Sequence, residues 1–360
     1  MTTTAPFDRP LVGLPRQSAD VPWPREDWPI GSLPDGVGLD PLIEAAFDPE
    51  GPLHQTYAVV VVCHGRLVLE RYAGLLPQWD KPGKPVTRET PLLSWSMAKS
   101  MLHAVVGMLV GDGRLVLDEP APVAEWRAPG DPRQAITLQH LLDMCDGLDF
   151  KEDYEDAATS DVMQMLFGDG QADMAAFAAG RPLAARPGSR FNYSSGTSNL
   201  VSGIVAREVG PGEPYRQFLA DRLFGPLGMT TATAKFDDAG TWVASSYAYA
   251  TARDFARFGL LYLRDGIWED RRLLPEGWVD HGRRPRSVDP DDGNLYGSHW
   301  WTRDDPDGTF WAAGHDGQFI DVCPARDLVL VRMGRTDAER AEDLRRWRTE
   351  VIGAFGVGPA

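Results

Sequence analysis

The stretch LLSWSMAKSMLHAVVGML, residues 92–109, decides how the rest of the chain is read. Met97, Met101, Leu102, Val105, Met108 and Leu109 recur at three- and four-residue spacing, which predicts an internal helix. Ser96 and Lys99 are set into that apolar run. The chain has only five lysines, Lys81, Lys84, Lys99, Lys151 and Lys235, so a lysine on the apolar side of a helix asks for a reason. Residues i and i+3 share a helix face, and the Lys99 amine can therefore reach the Ser96 hydroxyl. Burial disfavours the ammonium, lowers its pKa and leaves an amine able to act as a base near neutral pH. Ser94 is placed to cap the helix, which puts Ser96 in the first turn. There, free N–H groups and the positive dipole end favour a developing oxyanion. By itself the spacing also fits a capping serine followed by a lysine that snorkels to the surface.

Upstream, TYAVVVVCHGRLVLERYAG places two β-branched runs on either side of His64-Gly65, the signature of a hairpin. Residues 1–50 are rich in proline and charge and read as an extended arm ending in a short helix near LDPLIEAAF. Downstream, ITLQHLLDMCDGL has Thr137 as an N-cap and Gly147 past its end, and SNLVSGIVAREVG and PYRQFLADRLFGPLG carry helical spacing. Strand patterns return in TFWAAG, GQFIDVCPA and DLVLVRMG, followed by an amphipathic helix over about 338–355.

Strands at both ends with helices between predict an α+β fold. One antiparallel sheet is built from both termini and flanked by helices, with a mostly helical region inserted. The expected units are the arm, 1–50; an α/β domain from 51–95 and 236–360; and a helical domain, 96–235, with the active site in the cleft between the last two.

The composition, 43% apolar and 24% charged, is that of a globular chain able to bury a core without staples. A net charge of −16 argues against nucleic-acid or anionic-membrane partners. Cys63, Cys145 and Cys323 are odd in number and far apart, so they are expected as free buried thiols rather than disulfides or a zinc site. No metal or cofactor is called for. The N-terminus lacks a basic and an apolar signal region, and no apolar run reaches 18 residues, so a cytoplasmic protein is expected.

Two further stretches join Ser96 and Lys99. RPGSRFNYSSGTSNLVSGIV sets Tyr193-Ser194-Ser195 between a Pro-Gly turn and a helix, where a tyrosine can face a cleft and pass a proton if cations stabilise its phenolate. AAGHDGQFIDV brackets His315-Asp316 with Gly314 and Gly317, and strand glycines often mark close approach of another backbone or a ligand. Tyr296, His299, Trp300 and Trp301, in YGSHWW, are candidates to wall a pocket or to pack the sheet. His103 reads as a satisfied core histidine. DPDDGN and RDDPDG fit turns better than a calcium loop.

Ser96-Met97-Ala98-Lys99, Tyr193-Ser194-Ser195 and His315-Asp316-Gly317, in this order, resemble the S-x-x-K, Y-x-N and K-T-G or H-x-G motifs of the serine β-lactamase and penicillin-binding protein superfamily. The similarity spans about residues 50–355 and is nearest to class C β-lactamase-related hydrolases, the branch of esterases and 6-aminohexanoate-dimer hydrolase. It implies that Ser96 is the acyl-forming nucleophile, Lys99 its base partner and Tyr193 the second acid/base. By the same resemblance the oxyanion hole is formed by the N–H groups of Ser96 and Gln318, and His315 takes the place of the third-motif cation. Ser195 in place of asparagine and His315-Asp316 in place of Lys-Thr depart from the β-lactam-cleaving pattern. They favour a small-molecule ester or linear amide as substrate, with Ser195, His315, Asp316, Gly317 and Trp301 expected along the substrate.

Overall fold

The computed structural model describes residues 7, 9–78, 81–156 and 158–356; residues 1–6 and Asp8 of the expected arm lie outside them. Its centre is an antiparallel sheet. Strand β1 (Gln55–Cys63) forms the expected hairpin with β2 (Arg66–Tyr72). The C-terminal part supplies β3 (Ser287–Val288), β4 (Leu295–Tyr296), β5 (Trp301–Thr302), β6 (Phe310–Gly314), β7 (Gln318–Cys323) and β8 (Leu328–Arg335). The eight strands run in the order β3-β4-β5-β6-β7-β8-β1-β2. The N-terminal strand thus closes on the last one, with Val60 opposite Val331.

The unbroken apolar run of β1 follows from burial on both faces. Ala58, Val60 and Val62 enter the larger core, while Val59, Val61 and Cys63 enter a second core on the opposite face. Successive residues of a strand point to opposite sides, so an alternating pattern is lost when both sides are covered. All five residues from Ala58 to Val62 are fully buried, and burying a valine contributes about 1.5–3 kcal/mol. Helices α1 (Asp40–Phe47) and, at the C-terminus, Ala341–Gly353 cover the second face through Ile43, Leu344, Trp347 and Val351. A buried ion pair, Arg348 to Asp321, ties the C-terminal helix to β7.

The opposite face carries helix α2 (Met97–Gly111) and the helix Ala252–Leu263. Gly259 of the latter is required by close approach: a Cβ there would lie 2.6 Å from Val329 and 2.8 Å from Ile320. Between α2 and β3 come α3 (Leu138–Leu142), α4 (Asp161–Phe167), α5 (Met174–Ala179) and α6 (Ser195–Val209). Thr137 caps α3 as expected, but that helix ends at Leu142, short of Gly147, because Met144 turns into the left-handed region at φ 56°. The described arm is held by buried arginines of the body: Arg257 donates to the Pro24 carbonyl at 2.6 Å and Arg264 to Gln17 at 2.9 Å. The three cysteines are unpaired; burial pushes Cys63 up to about 11 and Cys145, which is only partly buried, up to about 12. No helix among the described residues is long and apolar enough to cross a membrane.

Candidate active site

Helix α2 does not begin as expected. Leu92–Leu93 pair with Tyr249–Ala250, and this pairing draws Ser94 into the extended chain, its N–H on the Ala248 carbonyl at 2.8 Å. The Ser94 hydroxyl is used there too, accepting from the Ala248 N–H, so it does not cap α2. The chain turns through Trp95 at φ 45° and Ser96 becomes the N-cap, with no cap bond from its side chain. A non-glycine residue in the left-handed region is strained by about 1–3 kcal/mol. Here that strain leaves the Ser96 hydroxyl free for other partners.

The first of these partners is Lys99. Its Nζ donates to Ser96 Oγ at 2.9 Å, to Ser195 Oγ at 3.1 Å and to the Ser245 carbonyl at 2.9 Å. The side chain does not snorkel: Lys99 is 2% exposed. Desolvation lowers its pKa to about 8, against an opposing pull from the Glu152 carboxylate. A substantial neutral fraction at physiological pH follows.

Tyr193 stands beside the same hydroxyl. Its ring stacks on Trp301 with centroids 5.6 Å apart, and Lys99 Nζ sits 4.8 Å from its centroid. Burial raises the Tyr193 pKa, and the adjacent Ser96 hydroxyl opposes only part of that push. The phenolate considered above is therefore not the resting state; desolvation, helped by the Glu152 and Asp289 carboxylates, keeps Tyr193 a neutral phenol.

The third stretch closes the site from the sheet. A Cβ on Gly314 would meet the Ser94 carbonyl at 2.3 Å, so only glycine lets the end of β6 abut the nucleophile turn. The last register pair of β6 and β7 is Gly314 opposite Gln318. The Gln318 side chain is buried and grips the Gly334 backbone from both ends, at 2.6 and 2.9 Å. His315-Asp316-Gly317 form a turn between the two strands, with Asp316 at φ 60° and Gly317 at φ 80°. His315 lies half-exposed at the mouth, against Trp95 (5.5 Å) and Tyr154 (5.3 Å), with Asp316 3.2 Å away. The turn rests on Arg332, a fully buried guanidinium that donates to the Asp316 and Gly317 carbonyls at 3.2 and 2.9 Å.

Several expected residues fall elsewhere. Ser195 sits against the Lys99 amine. It is fully buried as the first residue of α6, behind Lys99, donating its hydroxyl to Glu152 Oε1 at 2.6 Å. Trp300 is a core residue. His299, also buried, bonds the Lys99 carbonyl through Nδ1 at 3.1 Å and is held neutral by burial, down to about 3. Tyr296 packs behind Tyr193 and Trp301. His103 is the satisfied core histidine expected, 2.8 Å from the Tyr262 hydroxyl and 3.1 Å from His281.

Glu152, the Ser245 carbonyl, Trp95 and Tyr154 were not legible from spacing. Glu152 lies in the acidic run KEDYED, which reads as a solvated loop, and nothing local marks it as facing α6. Beside Tyr193 and Trp301 opens a cavity of about 600 Å³, lined also by Phe150, Phe191 and the Asp289–Asp292 turn.

The model of one family, described as Beta-lactamase, matches residues 53–354. The chain belongs to the beta-lactamase family. Among its curated relatives is the 6-aminohexanoate-dimer hydrolase of Paenarthrobacter ureafaciens, 28% identical over 332 residues, 82% of this chain and 77% of the relative. Similar solved structures include the putative 6-aminohexanoate-dimer hydrolase from Bacillus anthracis, with a TM-score of 0.72 at 22% identity, covering 96% of this chain and 90% of the other. The penicillin-binding protein homologue from Pyrococcus abyssi superposes with a TM-score of 0.67 at 18% identity, over 87% and 76%. The α+β architecture of this beta-lactamase-family chain, with its sheet assembled from both termini, is that of these folds.

Proposed function

We propose that the chain is a serine hydrolase that acylates Ser96 and hydrolyses a linear amide or small carboxylic ester. The observation that carries this reading is the 2.9 Å hydrogen bond between Ser96 Oγ and a desolvated lysine amine whose pKa is lowered to about 8. Neutral Lys99 takes the Ser96 proton as Oγ bonds to the substrate carbonyl carbon. The oxyanion so formed is assigned to the N–H groups of Ser96 and Gln318, each such donor being worth about 3–4 kcal/mol of barrier. The proton passes by way of Tyr193 to the leaving alcohol or amine. Because Tyr193 rests as a phenol, it gives up one proton as it receives another. Water then attacks the acyl carbon, passing a proton to the Lys99–Tyr193 pair; as the bond from that carbon to Ser96 Oγ breaks, Oγ takes this proton back and the carboxylic acid leaves.

The cavity narrows the substrate class. Its lining carries Asp149, Glu152, Asp289, Asp291 and Asp292 against Lys151 and Arg190. That balance disfavours the carboxylate of a β-lactam and suits a group bearing a cation, such as the free amine of an amino-acyl amide. The similarity to a hydrolase named for 6-aminohexanoate dimer, a linear amide, supports the same choice.

Intact-mass spectrometry tests the reading directly. Short esters and linear amides with a free amine are expected to leave an acyl adduct that maps to Ser96. An adduct on another residue, or rapid turnover confined to lactams such as nitrocefin, overturns the assignment.

The pH dependence follows from Lys99. Below about 8 it is an ammonium and cannot accept a proton, so kcat/KM is expected to fall about tenfold per pH unit on the acid side and to level off above. A steady-state profile checks this; a midpoint at about 6.5, the ordinary histidine value, would point to a different base.

A further inference from the structure

Resting on that reading, we infer that Glu152 is a positioning residue: acting through Ser195, it turns the Lys99 lone pair toward the Ser96 hydroxyl.

The argument is one of hydrogen-bond direction. A neutral amine has two N–H bonds and one lone pair. Lys99 Nζ has three partners, Ser96 Oγ at 2.9 Å, Ser195 Oγ at 3.1 Å and the Ser245 carbonyl at 2.9 Å. The carbonyl can only accept, so one N–H is committed to it. A serine hydroxyl can accept or donate, and if Ser195 donated to the amine, the lone pair would be occupied and Ser96 would meet an N–H instead. Glu152 removes that choice. Its Oε1 accepts the Ser195 hydroxyl at 2.6 Å and its Oε2 accepts the Ser195 N–H at 2.8 Å. With its proton held by a carboxylate, Ser195 presents only lone pairs to Lys99. Both N–H bonds of the amine are then used, and the remaining lone pair faces Ser96.

This arrangement also accounts for a serine at a position where an amide oxygen would be a dedicated acceptor. A hydroxyl needs a second group to make it one. Glu152 is itself held by the Tyr154 hydroxyl, which donates to Oε1 at 2.7 Å. The other titratable groups around the amine are Tyr193, a neutral phenol, and His299 from the β4–β5 turn, a neutral imidazole that bonds the Lys99 carbonyl. Among these, the carboxylate is the one formal charge close to Lys99, and it favours the ammonium.

Glu152→Gln is nearly isosteric and tests the assignment. With its amide oxygen on the Ser195 N–H, its NH2 donates to Ser195 Oγ, and the hydroxyl is driven to donate to Lys99. The high-pH plateau of kcat on p-nitrophenyl butyrate is expected to fall about ten- to a hundredfold, part of what general-base catalysis supplies. The acid-limb midpoint is expected to move to lower pH, because a charge favouring the ammonium is gone. In a Ser195→Ala background the same substitution should change the plateau by less than about twofold, since its route to Lys99 has been removed. A plateau unchanged in Glu152→Gln, or losses that multiply fully in the double variant, overturns the inference. If Glu152→Gln does not fold, Ser195→Ala alone decides: a lowered plateau with an unmoved midpoint supports the inference, and an unchanged plateau refutes it. Ser96→Ala, run alongside, separates this failure from failure of the serine-hydrolase reading.

Discussion

Ser96→Ala is expected to lower kcat on p-nitrophenyl esters by about 10³-fold or more while leaving the melting temperature within about 2 °C of the parent. The two halves of this expectation have separate causes. The activity is lost because the other hydroxyl on the Lys99 amine, that of Ser195, is turned toward Glu152, and the neighbouring Ser94 hydroxyl is held at the Ala248 N–H. Stability is retained because the Ser96 side chain makes no capping bond to α2, so the usual cost of removing an N-cap serine, about 1 kcal/mol, does not apply. Lys99 keeps two acceptors, Ser195 Oγ and the Ser245 carbonyl. Ester kinetics and a thermal melt on the same preparation check both halves. Undiminished turnover in a folded variant would end the case for Ser96.

Arg332→Met carries the largest expected effect on stability, a loss of about 3–5 kcal/mol. Replacing a buried cation by an apolar side chain can stabilise a protein when its partners leave with it. Here they remain. Arg332 donates to the Leu53 and Gln55 carbonyls at 3.2 Å, to the Thr336 hydroxyl at 2.7 Å and to the carbonyls of Asp316 and Gly317. Methionine would take this donor from the Gln55 and Gly317 carbonyls, while Leu53 and Asp316 would keep only their bonds from Thr336, and this loss outweighs the relief of desolvation that pushes the arginine down to about 9. The consequence reaches the active site. The turn at 315–317 contains two residues at positive φ, and once its support is gone it can relax and shift the end of β7 that bears Gln318. Urea unfolding should therefore show the lower midpoint, and ester kinetics a lower kcat in the fraction that stays folded. A change under about 1 kcal/mol would show that the turn holds itself.

Much of the fold was legible because its signals are local. The hairpin at His64-Gly65, the Thr137 cap and the C-terminal strands each announce themselves within about ten residues, and their placement at the two ends of the chain leaves one economical sheet. The boundary errors have a common origin in long-range pairing. Ser94 looked like a cap until its N–H was seen to bond residue 248. Trp300 could be read as a pocket wall or as sheet packing, because aromatic residues beside a motif give no sign of which face of the sheet they take; it packs in the core.

The proposed trio of Ser96, Lys99 and Tyr193 divides along the same line. The sequence alone determined that Ser96 and Lys99 come within reach of one another, since three-residue spacing at the start of a helix puts both on one side. Only the tertiary structure decided that the amine is desolvated, which oxygens surround it and that burial favours the phenol of Tyr193. Those properties depend on Ser195, Ser245, Glu152 and Trp301, which lie from 53 to 202 positions away from Lys99 in the chain. Solvation and hydrogen-bond direction are set by what surrounds a group in space, and no periodicity along the chain encodes that.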